Sequence, residues 1–101
     1  MPAELSTWVY FDASSGTPVI QDDENVTSIT DGGVGTFTVN FTANYASVNY
    51  VASQSAGGSG SSLGEAISIS SKAAGTMGIV TGTAHAFFDL PFNHIMILGT
   101  F

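Results

Sequence analysis

Apolar and polar residues alternate along most of this chain, most regularly over residues 35–42. Phe37, Val39 and Phe41 share one side, while Thr36, Thr38, Asn40 and Thr42 share the other. A period of two predicts a strand with one buried face. Residues 6–11 (STWVYF) form a β-branched and aromatic run that predicts a first strand. Residues 17–21 predict a short second strand, with Pro18 at an edge or a strand start because it cannot donate to a ladder. Asp22, Asp23, Glu24 and Asn25 then read as a charged loop. Residues 26–30 predict a third strand, closed by the turn signal Asp31-Gly32-Gly33. After the alternating strand, Asn44 to Ser47 turns the chain, and residues 48–54 are expected to pair back.

The second half is less regular. Residues 55–64 (SAGGSGSSLG) are rich in Gly and Ser and predict a surface loop. Ile67 and Ile69 alternate with serines in a further strand. Residues 77–88 fit one long strand bent at Gly82, where glycine permits a bulge. Residues 92–101 form the last strand. Its centre, Ile95-Met96-Ile97-Leu98, is apolar on both faces. A small antiparallel sheet normally leaves one face wet. Such a strand is therefore either central in a sandwich or covered by another subunit. No segment carries the spacing of an amphipathic helix. The expected fold is all-β: a single domain over residues 1–101, an antiparallel β-sandwich or jelly-roll-like variant of seven to eight strands. Trp8, Phe37, Val39 and Phe41 are its expected core.

Charge narrows the function. Eight acids face one base, Lys72, for a formal net charge of −7, and only 9% of the residues are charged. That lone cation cannot neutralise a run of phosphates, so nucleic acid is excluded as a partner, and anionic membranes with it. The chain has no cysteine, which removes disulfides, thiolate nucleophiles and thiolate zinc sites. No apolar run approaches the ~20 residues of a membrane-crossing helix. The start of the chain lacks a secretion signal, which points to synthesis in a cytoplasm.

Candidate chemistry is sparse. His85 and His94 sit in or beside strands, with no nucleophile motif around any serine. Asp22, Asp23 and Glu24 could hold Ca²⁺ through oxygen ligands, but they lack a calcium-loop spacing and read more simply as solvated acids. Trp8, Tyr10, Tyr45 and Tyr50 could stack on a sugar, although strand aromatics more often fill a core or an interface. The sequence therefore predicts no enzyme, no cofactor and no metal site. Ser, Thr and Asn are less costly than charges to bury against a neighbour. A low-charge all-β chain with a doubly apolar strand fits a module that assembles.

Three stretches support a more specific reading: Trp8-Val9-Tyr10-Phe11-Asp12, residues 25–42 (NVTSITDGGVGTFTVNFT), and Asn49-Tyr50. In that order they resemble a small β domain of tailed-bacteriophage virion proteins, frequent at the ends of tail-fibre chains. The match is close over residues 6–51 and loose over the last ten. Residues 53–91 resemble nothing recognisable. Gln21 stands where such domains often carry arginine, and no fibre shaft accompanies the domain. The resemblance implies a homotrimer whose final strand lies against its partners, with Phe92, Ile95, Ile97 and Phe101 as the expected subunit interface. It implies a virion structural protein made in the host cytoplasm and carried on the particle's outer surface. A domain standing alone suits capsid decoration, with the chain itself and other virion proteins as partners. The alternatives are a tail-fibre or tail-knob component touching the host receptor, and a small carbohydrate-binding sandwich using Trp8 or Tyr45 on a host-surface glycan.

Overall fold

A computed structural model describes residues 4–58, 66–82, 86–87 and 89–101, without the side chains of residues 4–6. Its described residues contain eight strands: β1 (Glu4–Asp12), β2 (Val19–Glu24), β3 (Val26–Gly33), β4 (Thr36–Phe41), β5 (Val51–Gly57), β6 (Ala66–Lys72), β7 (Thr76–Gly82) and β8 (Phe92–Gly99). They build two four-stranded antiparallel sheets, ordered β2-β1-β8-β5 and β3-β4-β7-β6. The two sheets share one core, so the chain is an all-β sandwich as the alternation predicts. Among the described residues, no helix is long and apolar enough to cross a membrane.

Each sheet offers the core one side of its strands. Sheet 1 contributes Thr7, Val9 and Phe11 from β1 and Ile95 and Ile97 from β8. Sheet 2 contributes Phe37, Val39 and Phe41 from β4 and Met77 and Ile79 from β7. Phe11 meets Phe37 edge-on across the gap, ring centroids 5.3 Å apart. Phe37, Val39 and Phe41 occupy the core positions expected of them. Trp8 does not: it is half-buried and lies on the outer side of β1. Thr7 and Val9 face inward, so strand geometry turns Trp8 outward.

The acidic stretch expected to be a loop is instead strand. Asp22, Asp23 and Glu24 pair with Tyr10, Val9 and Trp8. β2 is an edge strand, where charged side chains keep water while the backbone bonds on one side. Chain reversal into β3 falls on Asn25, whose φ of 61° lies in the left-handed region. Its side chain secures that turn: Oδ1 accepts from Ala43 N–H at 2.7 Å, and Nδ2 donates to Thr7 Oγ1 at 2.9 Å.

The β3–β4 turn falls on Val34 and Gly35, beyond the expected Asp31-Gly32-Gly33. Gly33 (φ 124°) is used in a register shift and Gly35 (φ 65°) in the turn itself.

The largest departure from expectation concerns β5. It does not pair back on β4 but crosses to sheet 1 and pairs with β8. The crossing segment inserts Tyr45 and Tyr50 into the end of the core, where they pack edge-on against Phe41. Tyr50 Oη donates towards the carbonyls of Ala73 (2.9 Å) and Thr76 (3.0 Å), tying this plug to the β6–β7 turn. β5 also takes Ser55, Ala56 and Gly57 from the expected Gly/Ser loop, whose residues 59–64 lie outside the described residues. β7 ends at Gly82, which bridges to Phe87. The single strand expected over residues 77–88 is therefore shorter, and its residues 83–85 and 88 lie outside the described residues.

Candidate functional site

The two sheets present different outer faces. That of sheet 2 is polar and uncharged: Ser28 and Thr30 stand beside Asn40, whose Nδ2 donates to both hydroxyls, at 3.1 and 2.9 Å. That of sheet 1 is divided: acidic on β2, where Asp22 and Glu24 stand beside Tyr10 and Trp8, and mainly apolar along β8 and the start of β5. Period two along β8 buries Asn93, Ile95 and Ile97 and turns Phe92, His94, Met96 and Leu98 outward. β5 adds Val51 beside Leu98 and Ser53 beside Met96. β1 adds Trp8 beside Met96 and Tyr10 beside His94. Met96 and Phe92 are each 50% exposed, Leu98 40% and Val51 61%. Val51, Ala52, Ser53, Met96 and Leu98 line a shallow open groove. Contiguous exposed apolar side chains of this kind mark a surface that meets something other than water.

This geometry corrects half of the expected interface. Ile95 and Ile97 are 1% and 0% exposed, packed in the chain's own core, and are closed to a partner. Phe92 and Phe101 are exposed. Phe92 and Ile95 lie three residues apart, so a strand places them on opposite faces. The residues missed were Met96, Leu98 and Val51. No sequence signal marks them, because β8 is apolar on both faces; once Ile95 and Ile97 are buried, parity obliges Met96 and Leu98 to face outward.

The tyrosine expected to serve as a sugar platform is also corrected. Tyr45 is buried, stacked against Phe101 and bonded through its hydroxyl to Thr7. Trp8 remains half-exposed on the outer face of sheet 1.

His94 lies on that face with its ring 4.8 Å from that of Tyr10, and Ser55 Oγ is 3.5 Å from its Nδ1. A contact that long is a poor path for a proton. His85 lies outside the described residues. Asp22, Asp23 and Glu24 diverge along β2. Asp23 turns back to accept from Val26 N–H at 3.3 Å, rather than converging on a common point. Among the described residues, no group of three or more His, Cys, Asp or Glu is placed to hold a metal ion.

Charge is distributed unevenly over sheet 1. β2, one edge of the sheet, carries Asp22, Asp23 and Glu24, and β1 begins on Glu4 and ends on Asp12, while β8 and the opposite edge β5 carry no acid, lysine or arginine. Lys72, on β6, is held locally: Nζ donates to the Tyr50 carbonyl and lies 4.6 Å from the centre of the Tyr50 ring. No protein-family model, curated protein or solved structure shows a significant match to this chain.

Proposed function

We propose that this chain is a non-enzymatic structural protein of a tailed-bacteriophage particle, a decoration subunit that cements the outer surface by burying area against its neighbours. The observation that carries the reading is the apolar β8–β5 strip on the outer face of sheet 1: Phe92, Met96, Leu98 and Val51 are exposed on a chain with 9% charged residues. Covering such side chains stabilises a contact by about 1 kcal/mol for each one half-exposed beforehand. The viral setting comes from the resemblance of residues 6–51 to the β domain of phage fibre proteins. In this reading the subunits form a homotrimer, made in the host cytoplasm and docked on other virion proteins.

The test is quantitative mass spectrometry of purified particles, with antibody labelling seen by electron microscopy. Hundreds of copies over the head support decoration. A handful at the tail tip transfers the protein to the fibre or knob that touches the receptor. Absence from the particle removes the proposal.

A further inference from the structure

We infer that the outer face of the β8–β5 half of sheet 1 is closed by a second copy of this chain, with β5 beside the symmetry axis and the acidic strand β2 at the outer rim. The inference rests on reading the protein as a self-assembling module, and specifies where the copies touch.

The first argument is electrostatic. Each copy carries a formal charge of −7, so two copies repel unless they meet where the acids are remote. Asp22, Asp23 and Glu24 lie on β2, three strands from β5, and Glu4 and Asp12 lie at the two ends of β1, two strands from β5. At a strand spacing of about 4.8 Å, the β2 acids are roughly 14 Å from β5 and the β1 acids roughly 10 Å, which leaves about 30 Å and about 20 Å between like acids of two copies meeting at β5. A screening length near ~8 Å makes that repulsion small. Contact through β2 would instead set six carboxylates against one another, with no cation on the strand to offset them.

The second argument concerns sheet edges. The sandwich has four edge strands: β2, β5, β3 and β6. An open edge invites another strand, and charged side chains discourage it. β2 carries three acids, β3 carries Asp31 and β6 carries Lys72. β5 reads VASQSAG, with no charge and no proline, and among the described residues it pairs only with β8. The unguarded edge is continuous with the apolar groove of Val51, Ser53, Met96 and Leu98. A second copy brings the same neutral, apolar strip, so like meets like without leaving a charge unpaired.

The experiment is light scattering over a dilution series of the wild-type chain and three variants. Each is first checked by circular dichroism and thermal melting for an intact fold. The wild type is expected to lie well above its 10.3 kDa subunit mass. Met96→Glu and Val51→Lys each place a charge in the covered strip and are expected to weaken association by about 100-fold or more. Asp22→Lys, on the rim, is expected to leave the association constant within about threefold of wild type. A wild type that stays a monomer at about 200 µM overturns the inference, because the strip is then covered by a different virion protein. So does a loss of association in Asp22→Lys equal to that in Met96→Glu. A monomer that is nevertheless abundant on particles leaves the decoration reading intact. An oligomer absent from particles leaves the contact intact and removes the decoration reading.

Discussion

Phe101 lies flat against Tyr45, their ring centroids 4.8 Å apart and their planes 12° from parallel. The stack closes one end of the sandwich, because Tyr45 in turn packs on Phe41 and Tyr50. Gly99 makes it possible. A Cβ at that position would stand 2.7 Å from Tyr50 Cβ and 2.8 Å from the Tyr45 ring. Gly99→Ala is therefore expected to destabilise the fold by about 1–3 kcal/mol through overpacking. Urea midpoints against wild type measure it. Phe101→Ala, which removes only the outer ring of the stack, should cost about 1 kcal/mol.

Asn25 combines a backbone demand with a side-chain one, and two substitutions separate them. Asn25→Gly keeps the left-handed turn but loses the bonds to Ala43 and Thr7. Asn25→Ala loses both. The alanine variant should fall below the glycine variant by about 1 kcal/mol in chemical denaturation. Equal values would mean that the φ of 61° imposes no strain.

Asp89 anchors the chain ahead of β8 to the β3–β4 turn, where Gly35 N–H donates to its Oδ1 at 2.7 Å. Asp89→Ala leaves a part-buried N–H without that acceptor and is expected to cost about 1–3 kcal/mol. Asp89→Asn keeps an oxygen there and should recover most of the loss. Thermal melts of the pair provide the comparison.

Burial pushes the Tyr50 phenol above the usual tyrosine range. The unfolded chain, with an ordinary tyrosine near ~10, therefore releases this proton at lower pH than the folded one does. Stability is complete below the unfolded value and declines as pH rises from there towards the folded value. Urea midpoints measured from neutral pH into the alkaline range should fall in wild type. Tyr50→Phe should flatten that dependence, and at neutral pH should cost about 1 kcal/mol for its lost bonds to Ala73 and Thr76.

Much of the sandwich was legible wherever one face of a strand is buried, because alternation then reports burial directly. β4 is the clearest case, with Phe37, Val39 and Phe41 inside. Legibility failed where a strand is apolar on both sides. In β8 nothing in the sequence sets the phase, and it emerges only from Asn93, Ile95 and Ile97 packing inward. Trp8 departs from the expected core because aromatic character does not fix burial: strand parity gives the inner positions to its neighbours Thr7 and Val9. β2 was obscured by its acids, which disguise an edge strand as a loop. The crossing of β5 was hidden because pairing partners are chosen by long-range packing of Tyr45 and Tyr50, and no local signal records that.

The pairing of β1 with β8 at the middle of sheet 1 sets the order in which the molecule can be built. Sheet 2 uses residues 26–82 alone and can close while synthesis continues. Sheet 1 must wait for residues 92–99, and until then β1 and β2 remain a two-stranded ribbon whose β1 edge has no ladder partner. Joining strands so far apart along the chain makes that last step slow. During this interval the nascent polypeptide is most prone to aggregate, and β8 serves as the latch that ends it.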